Sequence, residues 1–203
     1  QSSLDFFKKN QDEIFNSGNL AEGPWNKKLS EKIIEITGSK NAICVNSNGS
    51  GLVAILLIFK EYFGREEIMI QSNTMYGVKT IAISSGLELC GYVNCTLDYL
   101  MPTAEQVLDF VEQLENPNEC VFMITHIGGW INPDIEKIAE ICKKNDISLI
   151  EDCAHSLGST LDGNHSGLYG DAGVYSLYAT KAVPVGEGGI VVSNNSELSH
   201  QVQ

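Results

Sequence analysis

Short apolar runs alternate with longer segments of mixed polarity along most of this chain. Near its start, Leu4–Phe15 and Trp25–Ile36 place apolar residues at helical spacing, so both segments predict amphipathic helices. Further along, apolar runs predict strands and the segments between them predict helices. The predicted strands are Ala42–Val45, Ile68–Gln71, Leu87–Val93, Cys120–Thr125, Ser148–Glu151, Val174–Tyr178 and Gly189–Ser193. The helices predicted between the first five strands are Gly51–Phe63, Tyr76–Ser84, Ala104–Leu114 and Ile135–Lys144.

The order of these elements predicts an α/β fold. Strands that alternate with helices form βαβ units, which build a mainly parallel sheet with helices on both faces. We therefore expect three layers, αβα, around a sheet of about seven strands in one domain that spans 1–203. No long helix separates the last three strands, so one of them is expected to run antiparallel. Thr103, followed by Gln106, predicts a capping box at the start of one helix.

The composition excludes several classes of partner. Apolar residues make up 43% of the chain, which is enough for one sizeable core. The formal net charge of −13 argues against nucleic acids and anionic membrane surfaces, because clustered Lys and Arg bind both. No apolar run reaches the roughly 18–20 residues of a membrane-spanning helix. None of the six cysteines forms a Cys-x-x-Cys pair, so we expect reduced cysteines, a cytoplasmic protein and no metal site.

Residues that follow each strand matter most, because ligands of such sheets bind at the carboxyl ends of the strands. After the first strand, the polar turn from Asn46 to Gly51 opens a helix. Its free N–H groups and the positive end of the helix dipole predict an anion site. Gly49 would allow close approach of the ligand, and Ser50 would offer a hydroxyl. An ordinary strand-to-helix turn with a capping side chain is the alternative.

Two later strand ends carry ionisable side chains. Asp152 directly follows the predicted fifth strand, where a buried carboxylate needs a partner such as a protonated pyridine nitrogen, a metal or an arginine. His155 can reach the same space, although a capping carboxylate and a turn histidine would explain the pair equally well. Lys181 ends an apolar strand and precedes a glycine-rich turn. An amine in such surroundings is poorly hydrated, which frees its lone pair for Schiff-base chemistry, whereas a surface lysine is the alternative.

These features together predict a site for pyridoxal 5'-phosphate (PLP). The cofactor requires an anion site for its phosphate, an acid to hold its ring nitrogen protonated, and a lysine for its aldehyde. The turn at Gly49, the carboxylate of Asp152 and the amine of Lys181 supply one group for each requirement.

The segment from Glu151 to Leu198 resembles the core of the PLP-dependent sugar aminotransferases of the DegT/StrS family, which belongs to the fold-type I group. That family shows Glu-Asp-x-Ala-Gln/His, then Gly-Asp-x-x-x-Phe/Tyr-Ser-Phe/Leu-x-x-x-Lys, then Gly-Glu-Gly-Gly. All three motifs occur here, in this order and at the family's spacing. The segments NSGNLAEGPWNKKLSEKI, NSNGSGLVAIL and IQSNTMYGVKTIAISSG extend the resemblance over nearly the whole chain.

The resemblance implies a role for each matching residue. Lys181 would form the Schiff base with PLP and move the proton between substrate and cofactor. Asp152 would pair with the ring nitrogen. His155, at a position where many relatives have Gln, would lie near the ring's 3-oxygen. The residues implied to bind the phosphate are Gly49, Ser50 and Ser176.

Two loops depart from the family pattern. The phosphate turn reads Asn-Gly-Ser where the family has Ser-Gly-Thr, but it keeps a glycine and a hydroxyl. Relatives often place an aromatic residue over the ring, directly after the threonine that matches Thr74. Here that residue is Met75, with Tyr76 next, so the resemblance does not decide which of the two contacts the ring.

The resemblance also implies an activity and partners that extend beyond this chain. We expect transamination of a nucleotide-linked keto sugar by an amino-acid donor, with glutamate first among the donors, in a homodimer whose sites the partner subunit completes. Relatives continue into a smaller carboxyl-terminal domain. This chain begins at Gln1 rather than Met and stops at Gln203, inside a helix predicted to start near Asn195. We therefore expect a PLP-binding large domain that is truncated at both ends.

Three other functions stay open on the sequence. A dehydratase that uses the amine form of the cofactor has the same fold, but such relatives commonly carry His in place of the lysine, which Lys181 opposes. A non-catalytic or regulatory homologue, or an inactive fragment, is disfavoured for the parent protein by the intact pair of Asp152 and Lys181. An acidic binding module unrelated to PLP is the third, because a fold alone never fixes a function.

Overall fold

A seven-stranded sheet with helices on both faces forms the body of the molecule. The structure is a computed structural model that describes residues 2–202. The strands of the sheet are β1 (Asn41–Val45), β2 (Glu67–Gln71), β3 (Glu88–Val93), β4 (Cys120–Thr125), β5 (Ser148–Cys153), β8 (Ala172–Ser176) and β9 (Gly189–Ser193); β6 (Thr160–Leu161) and β7 (Asn164–His165) form a separate hairpin. The helices are α1 (Ser3–Asn16), α2 (Pro24–Thr37), α3 (Asn48–Phe63), α4 (Tyr76–Ser84), α5 (Ala104–Val111), α6 (Ile135–Lys144) and α7 (Ser196–Val202). Within residues 2–202, none of these helices combines the length and the apolar character needed to cross a membrane.

The strand order confirms the predicted fold class. The strands of the sheet follow one another as β1-β9-β8-β5-β4-β2-β3. Strand β9 runs antiparallel to both of its neighbours, and the other pairs are parallel. The prediction of one antiparallel strand among the last three is therefore confirmed. Because β1, β2, β4, β5 and β8 all run in one direction, their carboxyl ends share one edge of the sheet.

Apolar side chains fill the space on both faces of the sheet. On one face, α3 and α4 bury residues such as Leu52 and Ala82 against Ile70 of β2. The other face is covered by α5 and α6 next to the middle strands and by α2 next to β9. Full burial of an aliphatic side chain stabilises the fold by roughly 1.5–3 kcal/mol. Helix α1 buries none of its residues, so it contributes little to this core.

Local hydrogen bonds explain why some elements differ in extent from the prediction. Helix α3 begins at Asn48 rather than Gly51, because Ser47 and Ser50 form a capping box that starts the helix earlier. Strand β5 continues beyond Glu151, and β8 spans Ala172–Ser176 instead of Val174–Tyr178. Helix α5 stops before the predicted end at Leu114, because Gln113 and Leu114 donate to carbonyl oxygens three residues back instead of four. Its predicted capping box between Thr103 and Gln106 is confirmed.

The hairpin of β6 and β7 was not predicted. Each of its strands has two residues, which is too short to show a two-residue period. Asp162 and Gly163 connect the strands with positive φ angles of 51° and 87°. These left-handed conformations are typical of the tight turns that Asp-Gly pairs favour in hairpins.

Candidate active site

A cavity of about 300 Å³ opens at the carboxyl edge of the sheet, where β4, β5 and β8 end and α3 begins. Six of the nine residues predicted for the site line it: Gly49, Met75, Asp152, His155, Ser176 and Lys181. The other three, Ser50, Thr74 and Tyr76, are not among the lining residues. The fold thus brings together one candidate anion turn, one carboxylate and one amine.

The start of α3 presents free backbone donors to this cavity. Among residues 2–202, no hydrogen bond occupies the N–H groups of Asn48 and Gly49. A Cβ added at Gly49 would meet Ile81 Cδ1 at 3.4 Å, which is an ordinary contact, so the protein interior does not itself require glycine there. Two free N–H groups at the positive end of a helix dipole suit an anion.

The hydroxyl of Ser50 closes the helix cap instead of facing the cavity. Its Oγ donates to the carbonyl oxygen of Ser47 at 2.8 Å and accepts from the Ser47 N–H at 3.1 Å. Ser47, which the sequence analysis did not select, lines the cavity in its place. The predicted contribution of the Ser50 hydroxyl to phosphate binding would therefore require the cap to rearrange.

Asp152 lies buried in β5 with one side toward the cavity, and only 3% of its surface is exposed. Its Oδ1 accepts hydrogen bonds from the Asn48 side-chain amide and from the Ala154 N–H, both at 3.1 Å. Thr125 Oγ1 lies 3.5 Å from Oδ2. Burial raises the pKa of Asp152, while the hydrogen bonds from Ala154 and Asn48 oppose that rise because they favour the anion. Such a carboxylate can pair with a cationic group that enters the cavity.

Lys181 lies in a turn beyond β8 and not at the end of a strand, which corrects the expectation from the sequence. Strand β8 ends at Ser176, after which the chain pairs with the segment that precedes β9. The Lys181 N–H donates to the carbonyl oxygen of Tyr178 at 2.9 Å. The lysine is half-buried, so apolar surroundings remove only part of its water. Its side chain nevertheless lines the same cavity as Asp152.

The glycine-rich segment that follows Lys181 lets two parts of the site approach each other. A Cβ added at Gly189 would lie 2.5 Å from the carbonyl carbon of Ser47 and 2.6 Å from the backbone nitrogen of Asn48. No side chain fits at these distances, so glycine is needed where β9 starts beside the turn of α3. The Gly-Glu-Gly-Gly motif therefore serves the packing of the site directly.

The remaining predicted residues lie at the rim of the cavity or behind its wall. His155 Nδ1 accepts from the Gly128 N–H at 3.4 Å. Met75 lines the cavity, whereas Tyr76 is 80% exposed and does not. Thr74 Oγ1 lies 2.9 Å from Thr125 Oγ1, so this hydroxyl contacts the wall of the cavity from behind. Of the two residues considered for the ring, Met75 is the one that reaches the cavity.

Ser176 places a second hydroxyl in the cavity wall. It is 6% exposed, and its Oγ accepts from the Tyr178 N–H at 3.3 Å, which leaves the hydroxyl hydrogen free to donate. Together with the N–H groups of Asn48 and Gly49, it completes a set of three donors around the cavity. The arrangement can therefore bind an anion, pair with a cationic nitrogen and offer an amine.

The whole chain can be assigned to a protein family. A family model, described as the DegT/DnrJ/EryC1/StrS aminotransferase family, matches residues 3–203. The chain belongs to this family. DegT/DnrJ/EryC1/StrS enzymes are PLP-dependent, and the donors, the carboxylate and the amine around the cavity fit the phosphate, the ring nitrogen and the aldehyde of that cofactor.

Solved structures of two aminotransferases and a dehydratase share this fold. PseC of Helicobacter pylori, an aminotransferase involved in pseudoaminic acid biosynthesis, is 26% identical and has a TM-score of 0.80; the match covers 96% of this chain and 51% of PseC. The aminotransferase TlmJ from Streptoalloteichus hindustanus is 29% identical with a TM-score of 0.78, over 94% of this chain and 50% of TlmJ. The dehydratase ColD, at 22% identity and a TM-score of 0.84 over 97% of this chain and 50% of ColD, shows the fold alone. The chain thus spans about half the length of these structures.

Sequence reasoning missed several residues that line the cavity. Thr125 ends a predicted strand, so the rule that ligands bind at strand ends could have selected it. Tyr178 and Glu187 lie within motifs that were recognised, but no chemical reason singled them out. Asn48 was visible in the turn, yet its contact with Asp152 joins residues 104 positions apart and follows only from the fold.

A buried cluster of His126, Glu151 and Cys153 has the composition of a metal site, with ligand atoms within 4.8 Å of one another. Glu151 Oε2 accepts from His126 Nε2 at 2.8 Å and from the Gly167 N–H at 2.7 Å. Its Oε1 accepts from the N–H groups of Tyr169 and Gly170 at 2.7 and 2.8 Å. Each carboxylate oxygen of Glu151 therefore already accepts two hydrogen bonds. Three of the four donors are N–H groups of residues 167–170, so the cluster anchors this loop.

A larger cavity, about 410 Å³, lies at the opposite edge of the sheet. Arg65 lines this cavity. Its guanidinium group donates to the side chains of Ser148 and Asp146 and to the carbonyl oxygens of Asn118 and Asp146. These bonds hold the loops that precede β4 and β5. The arginine is therefore engaged within the protein.

Proposed function

We propose that this chain is the PLP-binding large domain of an aminotransferase that transfers an amino group from an amino acid to a nucleotide-linked keto sugar. One observation carries the proposal: the free N–H groups of α3, the carboxylate of Asp152 and the amine of Lys181 line one cavity at the carboxyl edge of the sheet. Family membership supports the same cofactor and the same class of reaction.

Each of these groups has a distinct role toward the cofactor. When bound, PLP supplies an aldehyde that reacts with amines and a ring that withdraws electrons from the carbon undergoing deprotonation. The N–H groups of Asn48 and Gly49, with the Ser176 hydroxyl, would hold its phosphate. The carboxylate of Asp152 keeps the ring nitrogen protonated.

Lys181 is both the covalent anchor and the proton carrier. With PLP bound, the Lys181 Nζ would hold the cofactor's aldehyde, and as a free amine it would carry the proton of the substrate carbon. Met75 and His155 border the same cavity as this amine. The half-buried position of Lys181 allows the side chain to move between these two tasks.

A second cavity provides room for a large acceptor. It has a volume of about 640 Å³ and adjoins the first, since Glu187 and Gly188 line both. A nucleotide-linked sugar could place its keto carbon near Lys181 and extend the nucleotide over this space. The role of PseC in making pseudoaminic acid, an amino sugar, supports this class of acceptor. We propose glutamate as the donor.

The active form is proposed to be a cytoplasmic homodimer with an additional carboxyl-terminal domain. The matched structures are about twice as long as this chain. Val183 and Val185, in the turn next to Lys181, expose 49% and 61% of their surfaces and so offer apolar area to a partner. A partner subunit that packs on this turn would complete the site.

A dehydratase is the second candidate, because ColD has the same fold. A dehydratase of this type needs no lysine anchor, whereas this chain places Lys181 in the cavity. Glutamate separates the candidates, since an aminotransferase converts bound PLP to its amine form with glutamate alone. Loss of the yellow absorbance on adding glutamate would support transamination, and its persistence would contradict it.

The proposal is tested with the full-length enzyme and two lysine variants. We expect the wild type to bind PLP with a yellow absorbance band and Lys181→Ala to lose both that band and turnover, because one residue supplies anchor and proton carrier. Lys79→Ala is the matched control: Lys79 lies on α4 near the Tyr92 ring and does not line the cavity. Unchanged absorbance and turnover in Lys181→Ala would overturn the proposal.

A further inference from the structure

The side chain of Asn48 joins three parts of the candidate site. Its Nδ2 donates to Asp152 Oδ1 at 3.1 Å and to the carbonyl oxygen of Val174 at 2.8 Å. Asn48 is the first residue of α3, Asp152 lies in β5 and Val174 lies in β8. One amide therefore links the anion turn, the carboxylate and the strand that leads to Lys181.

The chemistry of the amide fixes its orientation. A side-chain amide nitrogen carries two hydrogens, and both are used here, one for each acceptor. A carbonyl oxygen and a carboxylate oxygen can only accept hydrogen bonds from a nitrogen, so the reversed amide would place oxygen against oxygen. The link to Asp152 is thus an N–H donor facing a potential anion.

The link depends on the residue type at position 48. Asn48 stands where the family pattern has serine in Ser-Gly-Thr. A serine hydroxyl carries one hydrogen on a shorter side chain, so it cannot donate to Asp152 and Val174 at the same time. Asn48 therefore makes a pair of contacts that the serine of the Ser-Gly-Thr pattern could not make.

We propose that Asn48 is a positioning residue that keeps Asp152 an anion, so that the proton shared with the cofactor stays on the ring nitrogen. The inference rests on the proposed function. A hydrogen bond donated to Oδ1 stabilises the carboxylate and makes it a weaker base. The second bond, to Val174, fixes the amide so that the donor cannot turn away.

Other ionisable groups near Asp152 set the background for this effect. His126 follows the end of β4 and His155 follows β5; both favour the anionic form of Asp152. Cys153 and Glu151 are its neighbours in β5, while Lys181 and Glu187 line the cavity in front of it. None of these groups would be altered by a substitution at position 48. A change in the variant would thus report on the lost amide.

The test uses full-length holoenzyme reconstituted with PLP that carries ¹⁵N in its ring. The ¹⁵N chemical shift reports whether the ring nitrogen is protonated, and it is recorded across a pH series. We expect a protonated nitrogen in the wild type. In Asn48→Ser and Asn48→Ala, Asp152 becomes a stronger base and takes more of the shared proton, so the protonated fraction of the ring nitrogen should fall, and kcat should fall by about tenfold, the scale of one hydrogen bond to a charged group.

Asn145→Ser is the matched control. Asn145 is also half-buried, and its amide donates to the carbonyl oxygen of Ile141 at 2.9 Å, far from the cavity. This variant loses an equivalent amide and should leave the ¹⁵N shift and its pH dependence unchanged. Asn48→Ala removes the amide without adding a charge and keeps a good helix former, so it provides a folded variant if serine disrupts the start of α3.

The outcomes separate this inference from the proposed function. An unchanged ¹⁵N titration in both Asn48 variants, with PLP bound, would overturn the role of Asn48 and leave the proposed function standing. A wild type that binds no PLP, or that holds an unprotonated ring nitrogen, would overturn both. A shift in the Asn48 variants that also occurs in Asn145→Ser would show a general loss of structure and contradict a specific role.

Discussion

Two adjacent carboxylates at the end of β5 have opposite functions. Asp152 faces the cavity and retains room for an external partner, with Asn48, Ala154 and Thr125 around it. Glu151 faces the other side of the sheet, where four donors fill its oxygens. Both residues are buried, so burial alone does not identify a site. The difference lies in whether the protein itself supplies every hydrogen-bond partner.

The largest expected effect follows from making Asp152 neutral. Asp152→Asn keeps the shape of the residue but cannot hold the ring nitrogen protonated. We expect PLP to remain bound through its phosphate while turnover falls by at least ~100-fold, the scale of losing a charge-assisted contact in an active site. Steady-state kinetics and cofactor absorbance measure the two parts. Near-normal turnover would refute the role of Asp152.

Replacing the carboxylate of the neighbouring Glu151 by an amide should lower the stability of the fold instead of the turnover. In Glu151→Gln, an NH₂ group replaces one oxygen and faces two N–H donors that lose their acceptor. We expect the free energy of unfolding to fall by about 3 kcal/mol, from the cost of unsatisfied buried donors. Urea denaturation measures this loss. Glu61→Gln, at an exposed position without a hydrogen bond among the described residues, should change stability by less than about 0.5 kcal/mol. Equal stability of the two variants would contradict the anchoring role of Glu151.

A smaller effect should appear in the pH dependence of stability. Burial raises the pKa of Asp152, so the folded apoprotein binds this proton more tightly than the unfolded chain does. The resulting stabilisation is complete below the unfolded pKa of about 3.9 and is lost as pH rises through the raised folded pKa. Asp152→Asn cannot titrate and lacks this loss. As pH rises, the free energy of unfolding of Asp152→Asn should therefore increase relative to that of the wild type. Urea denaturation at several pH values measures this difference, and a difference that does not change with pH would argue against the raised pKa.

Local pattern was sufficient to predict most of the fold. The bounds of β4, α6 and β9 match their predicted ranges, because uninterrupted apolar runs and helical spacing define them. Prediction failed where hydrogen bonds between distant segments set the limits. Beyond Ser176 the chain leaves the sheet, and Leu177 forms hydrogen bonds with Val185 and Gly188 that no local pattern predicts.

The chemistry of the site was partly visible in the sequence. Asp152 and Lys181 could be selected because their residue types and motifs suit a known cofactor. Glu151 and Asp152 end the same buried strand, and strand alternation places them on opposite faces without indicating which face carries the cavity. The contact between Asn48 and Asp152 depends on how β1, β5 and β8 assemble, so it required the structure.

Peptide mapping after borohydride reduction tests the central claim most directly. If Lys181 Nζ anchors the cofactor, reduction of the resting full-length enzyme should fix a pyridoxyl group on the peptide that contains Lys181, and mass spectrometry should locate it on that side chain. Lys60, which donates to the Gly86 carbonyl oxygen and lies outside the cavity, should carry no label. A pyridoxyl group on Lys79, on Lys60 or on no lysine at all would contradict the account.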